Sequence, residues 1–229
     1  MRQYMKLFHE ISQKGLIPDT VTYSTLIMGS CQVKGPWAGY ELFKDMIVHG
    51  QAPDSVAYSI LLDGFCKHGY IKEALKLFQA MKYSGLQPNI ISYNVLIDCM
   101  CEAGQLEVAR ELYSGLSMKG LKPNIYTYTM MSKGLCKAGL TNDAYDLFRK
   151  MEDGSLPNDF SYNTMVQGLL KNHDLSRTRQ ILCEMHDNGF SADATTTTML
   201  VDLLCRDGID LLSSDKAEAN KEITGGDVK

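Results

Sequence analysis

The chain is poor in the features that mark many functional classes. Its 229 residues hold one tryptophan, and 23 lysines and arginines stand against 27 acids, for a formal net charge of −4. That balance excludes a polybasic nucleic-acid arm and, with 45% hydrophobic content, excludes wholesale disorder. The charge is unevenly placed, because the segment after Arg206 holds six acids and three lysines, which leaves the body near neutral. No apolar run approaches the roughly 20 residues that a membrane-spanning helix needs, so no membrane partner is expected. Cys-x-x-Cys and His-Glu-x-x-His motifs, a phosphate-binding glycine loop, a nucleophile elbow and a paired-acid constellation are all missing. The expectation is a protein with no enzyme chemistry, no metal, no cofactor and no small-molecule substrate.

What is present is a period, the first thing to look for in any chain. The string Pro-(Asp/Asn)-x-x-x-Tyr occurs at Pro18–Tyr23, Pro53–Tyr58, Pro88–Tyr93, Pro123–Tyr128 and Pro157–Tyr162, in steps of 35, 35, 35 and 34 residues. A degenerate copy, Ala192-Asp193 with Thr197, lies another 35 residues on. Cys31, Cys66, Cys101 and Cys136 keep the same interval, Cys205 falls in register, and Gly15, Gly50, Gly85, Gly120, Gly154 and Gly189 follow it too. Cysteines of one phase in successive units stand about a helix diameter apart, beyond the reach of a disulfide or a shared zinc ion, so reduced core thiols are expected.

Each unit reads as two helices. Tyr58, Leu61, Leu62, Phe65 and Cys66 follow the i, i+3, i+4, i+7, i+8 stripe of an amphipathic helix, and Tyr93, Leu96, Ile97, Met100 and Cys101 repeat it. Gly69, Gly104 and Gly139 suit the left-handed turn that ends a helix. A second stripe follows, as in Ile71, Ala74, Phe78 and Met81. No window alternates with period two, so the class is all-α. One unit cannot bury both stripes, so the units must stack into an α-solenoid, a right-handed superhelix of helix-turn-helix repeats with a concave inner wall. The expected divisions are 1–19 (the second helix of a truncated unit), 20–54, 55–89, 90–124, 125–158 (one residue short, near Gly154), 159–193, 194–212 (partial) and 213–229 (a polar, disordered tail).

A two-helix unit of this length is shared with tetratricopeptide repeats, but those carry a tryptophan early in the first helix, and Trp37 lies in a second helix. The sequence resembles the pentatricopeptide repeat family instead. Ser92-Tyr93-Asn94-Val95-Leu96-Ile97-Asp98 looks like that family's first helix and Gly64-Phe65-Cys66-Lys67-His68-Gly69 like its turn. Glu73-Ala74-Leu75-Lys76-Leu77-Phe78 with Met81, Gly85 and Pro88-Asn89 completes the unit. The even spacing is similar to the pure-repeat subclass, and the cysteine-rich wording to its fertility-restorer-like members.

One column in the first helix runs against helix propensity. The residue after the Tyr position is Ser24, Ser59, Asn94, Thr129, Asn163 or Thr198, small hydrogen-bonders where an exposed helix favours Ala, Glu or Lys. These side chains either satisfy backbone groups near the helix start or face a ligand. The residue after Pro (Asp54, Asn89, Asn124, Asn158, and Asp193 in the degenerate copy) has a plain role as turn or helix cap. The resemblance implies a second role: each unit reads one base of single-stranded RNA through such a pair. By the family's rule Ser24/Asp54 looks like G, Ser59/Asn89 like A, Asn94/Asn124 like C or U, Thr129/Asn158 like A and Asn163/Asp193 like U, giving 5′-GA(C/U)AU-3′.

The resemblance also implies that Val21, Val56, Ile91, Tyr126 and Phe160, two residues before the Tyr position, sandwich the bases; packing between units is the other reading. Lys67, Lys137, Lys171 and Arg206 would contact phosphates, in a column where Gln32 and Glu102 break the pattern. Family members act mostly in mitochondria or plastids, so an organelle is expected, although Met1–Asp19 does not read as a transit peptide. A protein-binding scaffold and a truncated remnant of a longer array are the competing readings.

Overall fold

The computed structural model describes residues 18–152 and 156–207, and those residues form eleven helices. They are α1 (Thr20–Lys34), α2 (Pro36–Val48), α3 (Ser55–Lys67), α4 (Ile71–Tyr83), α5 (Ile90–Glu102), α6 (Leu106–Met118), α7 (Ile125–Lys137), α8 (Thr141–Glu152), α9 (Asp159–Lys171), α10 (Leu175–Asp187) and α11 (Ala194–Asp207). Odd-numbered helices are the first of each unit and even-numbered ones the second. The expected helix before residue 18, the short spot near Gly154, the polar tail and the side chain of Arg206 lie outside the described residues.

The start of each first helix is written into the sequence. Asp19, Asp54, Asn89, Asn124 and Asn158 have extended backbone and accept hydrogen bonds from N–H groups of the first turn. Asn124 and Asn158 complete reciprocal capping boxes with Thr127 and Ser161. A cap of this kind is worth about 1 kcal/mol. The capping role expected of the residue after Pro is therefore present. At the turn between the helices of a unit, Gly69, Gly104 and Gly139 take φ of 73–78°. His173 holds the same place at φ 56°, the one non-glycine in the left-handed region among the described residues.

Units join through two kinds of contact. Consecutive first helices pack directly on one another, whereas second helices meet their own first helix and, more lightly, that of the next unit. Aromatic side chains mark the second joint: Phe43 meets Tyr58, Phe78 meets Tyr93, Tyr113 meets Tyr128 and Phe148 meets Tyr162, with centroids 4.9–6.3 Å apart and steep interplanar angles. Second helices are bridged by ion pairs, Arg110 to Asp143 at 2.7 Å and Arg149 to Glu184. The array is tight along the first helices and looser along the second, so it curves with the first helices on its inner wall.

The cysteine column packs into a seam on that wall. A Cβ added at Gly64 would stand 3.0 Å from Cys31 Sγ, one at Gly134 would stand 2.3 Å from Cys101 Sγ, and one at Gly168 would stand 2.6 Å from Cys136 Sγ. Each sulfur thus occupies the space left by a glycine of the next unit. All described cysteines are free thiols. Cys205, which the period places in this column, is exposed. Its helix is the last one described, and among the described residues no further unit packs over it.

Candidate nucleic-acid interface

The inner wall carries two parallel columns on the first helices. Val21, Val56, Ile91, Tyr126 and Phe160 are apolar and still 47–72% exposed. One such side chain stands on each unit, which random surface placement would not produce. Packing between units, the plainer reading for this column, does not bury them. Tyr126 and Phe160 touch one another with ring centroids 6.4 Å apart, so an aromatic guest between them would have to part the two rings.

The second column is more closed than its sequence suggests. Ser24, Ser59, Thr129 and Asn163 are only 1–8% exposed, tucked where consecutive first helices meet, and Asn94 is half-buried. The expectation of open hydrogen-bonders along this strip is corrected by the close approach of the first helices. Three members turn back on their own helix: Thr129 and Thr198 donate to the carbonyls of Ile125 and Ala194, and Asn163 donates to that of Asp159. The backbone-satisfying role is real in these units.

Three of the five pairs are joined by hydrogen bonds. Asn94 Nδ2 donates to Asn124 Oδ1 at 3.1 Å, and the Asp193 N–H donates to Asn163 Oδ1 at 2.8 Å. Ser59 reaches Asn89 through an intermediary, because its hydroxyl lies 2.9 Å from that of Ser92, which donates to Asn89 Oδ1 at 3.3 Å. Thr127 occupies the place of Ser92 in the next unit and donates to Asn94 Oδ1 at 2.7 Å. Among the described residues no hydrogen bond joins Ser24 to Asp54 or Thr129 to Asn158.

These bridges come from a column that sequence reasoning passed over. The residue before the Tyr position is Thr22, Ala57, Ser92, Thr127, Ser161 or Thr196, a hydroxyl in five of six units. The near-uniform hydroxyl was the available signal. Ala57 is the exception, and its consequence is visible: the buried hydroxyl of Ser24, which faces α3, is left without a partner. An unmet buried polar group costs about 1–3 kcal/mol.

Charge on this wall is largely self-compensated. Lys67 pairs with Asp63 at 2.7 Å, and Lys137 pairs with Glu102 at 2.8 Å while also donating to the Glu102 carbonyl at 2.6 Å. Lys133 binds Glu102 at 2.6 Å and Asp98 at 3.3 Å. Hydrogen bonds from Lys133 and Lys137 hold the Glu102 carboxyl down at about 2. Of the proposed phosphate contacts with described side chains, Lys67 and Lys137 are thus engaged, and Lys171 is exposed. Among the described residues no group of three or more His, Cys, Asp and Glu is placed to hold a metal ion, and no helix is long and apolar enough to cross a membrane.

Against this geometry stand the known proteins. No curated protein matches the sequence. Among solved structures, the maize protein PPR10 superposes with a TM-score of 0.61 at 24% identity, over 97% of this chain and 36% of its own. PPR10 in complex with an 18-nt psaJ RNA element gives 0.76 at 25% identity, over 89% of this chain and 30% of that one. The repeat domain of Arabidopsis thaliana protein-only RNase P 1, in complex with tRNA, gives 0.58 at 16% identity, over 76% and 93%. The chain thus spans about a third of the length of the PPR10 structures. Family models described as the PPR repeat family match residues 53–102, 88–137 and 157–206, and models described as the PPR repeat match 126–156 and 14–47. With most of its length so matched, the chain belongs to the pentatricopeptide repeat family.

Proposed function

We propose that this chain binds single-stranded RNA along its inner wall, one base per unit, and acts by occupying its site. The observation that carries this reading is the column of five exposed apolar side chains at one per unit, beside a column of polar pairs of which three are joined by hydrogen bonds. A base sliding between Val56 and Ile91, or between Tyr126 and Phe160, would stack on both and present its edge to the pair behind it. The RNA complex of PPR10 supports the reading through shared fold and family. The expected preference is 5′-GA(C/U)AU-3′, read by Ser24/Asp54, Ser59/Asn89, Asn94/Asn124, Thr129/Asn158 and Asn163/Asp193, within an organellar RNA-processing, stabilising or translational role.

Closure of three of the five pairs in the unbound chain means that base contacts there replace existing hydrogen bonds. The net gain per base then comes mostly from stacking, about 1–3 kcal/mol where the platform is aromatic. With five short steps and the cost of ordering a flexible strand, the affinity is expected to be micromolar or weaker. A titration of GACAU-containing oligomers against scrambled ones tests it. Equal binding to both would discard one-base reading, and Asn94→Thr should move the third position from pyrimidine toward A.

A further inference from the structure

We propose that Cys66 and Cys99 form a dithiol site on the inner wall that takes a small disulfide oxidant and closes an inter-repeat disulfide. The inference goes beyond RNA recognition and rests on the seam between units, whatever the wall binds.

At three neighbouring joints the sulfur of one unit lies against a glycine of the next: Cys31 on Gly64, Cys101 on Gly134 and Cys136 on Gly168. At the joint between α3 and α5 the glycine place is taken by Cys99, in register with Cys66. At the glycine-bearing joints the backbones come close enough for a covalent bridge. A Cβ added at Gly134 would lie 2.7 Å from Cys101 Cβ, one at Gly168 would lie 2.8 Å from Cys136 Cβ, and one at Gly64 would lie 3.2 Å from Cys31 Cβ. A disulfide needs its Cβ atoms about 3.5–4.5 Å apart, so a joint relaxed by a fraction of an ångström to admit a second side chain falls in that range. Cys66 is half-buried where Cys31, Cys101 and Cys136 are buried.

The two thiols lie near enough to perturb one another, which raises the pKa of Cys66 and lowers that of Cys99. Both side chains line one cavity together with Asn94 and Asn124, so a small oxidant reaches them from the wall. In the reaction the Cys99 thiolate attacks the external disulfide, forming a mixed disulfide and releasing one thiol. Cys66 then gives up its proton and attacks the Cys99 sulfur, the Cys66–Cys99 bond forms, and the second external thiol leaves. The two protons lost by the cysteines end on the two released thiols, and the two electrons reduce the oxidant.

The test treats the full chain, in a Cys183→Ser/Cys205→Ser background that removes the exposed thiols, with oxidised glutathione. Peptides are then mapped without reductant. The expected result is a reductant-sensitive link between the Cys66 and Cys99 peptides, at least tenfold more abundant than any other cysteine pair and lost in urea at the same oxidant dose. Cys99→Gly, which installs the residue that the neighbouring joints carry, should fold and remove the link, and Cys66→Ser should leave Cys99 as a mixed disulfide. Alkylation of both Cys66 and Cys99 as free thiols after oxidation would overturn the proposal. Equal linking in urea would overturn it too, because the folded seam would then play no part.

Discussion

Replacing Glu102 by Gln should make RNA binding tighter and more salt-sensitive. In the unbound chain Glu102 holds Lys133 at 2.6 Å and Lys137 at 2.8 Å, and Asp98 offers Lys133 a second carboxylate, whereas the other contact of Lys137 is the neutral Glu102 carbonyl. The substitution therefore frees one lysine, Lys137, for a phosphate. Each phosphate neutralised on a single strand adds about −0.7 to the slope of log affinity against log salt. Raising salt fourfold, from about 50 to about 200 mM, should then weaken the variant about 2.5-fold more than the parent. The fold should tolerate the change, because half-exposed pairs of this kind contribute about 0.2–1 kcal/mol each. Acid cannot substitute for the mutation. The Glu102 carboxyl titrates near 2 in the fold, below its ordinary 4.5, so its contribution to stability is complete above pH 4.5 and is lost as pH falls from there toward 2. The lysines stay paired throughout the range in which binding is measurable. Fluorescence anisotropy with a labelled GACAU oligomer across a salt series reads the slope directly. An unchanged slope, or weaker binding at low salt, would mean that Lys137 does not face the strand.

Other outcomes follow from the same wall. Tyr126→Ala removes a half-exposed ring, so thermal stability should move little while RNA affinity falls about 5- to 150-fold, the equivalent of 1–3 kcal/mol of stacking; an unaltered titration would count against the stacking column. Ser92→Ala strands the Ser59 hydroxyl as Ala57 already strands that of Ser24, and should cost about 1 kcal/mol in chemical denaturation and blunt the preference at the second base. Ala57→Ser should do the reverse for Ser24, and a loss of stability on that change would refute the bridging role. Gly134→Ala places a Cβ 2.3 Å from Cys101 Sγ and should destabilise by about 1–3 kcal/mol, with Cys101→Ala in the same chain restoring only part of the loss because the Cys101 Cβ stays 2.7 Å away.

The period made the helices and their caps legible before any coordinates. Pro followed by Asp or Asn both stops one helix and opens the next, and the Tyr58–Cys66 stripe names its own buried face. The exposed apolar column was legible for the same reason, since a 35-residue clock places Val21, Val56, Ile91 and Tyr126 on one line. What a single unit's pattern could not reveal was how near the next unit comes. Burial of Ser24, Ser59, Thr129 and Asn163 depends on the distance between first helices, which Gly64 sets for Ser24 and Gly168 for Thr129 from the far side of the joint. The clamp of Glu102 on Lys137 crosses the same joint, so a tally of basic residues along one column overstated the positive charge available.

The helix caps carry a consequence for how such a chain can change its target. The Asp or Asn proposed as the second letter of each unit also accepts the amide that begins the following helix. Only a handful of short polar side chains can hold that amide, so any respelling at this place is confined to Asp, Asn, Ser and Thr unless a neighbour compensates. The vocabulary for RNA is thereby bounded by the mechanics of the array rather than by the variety of base edges. A misspelling in one unit would surface as fraying in the next.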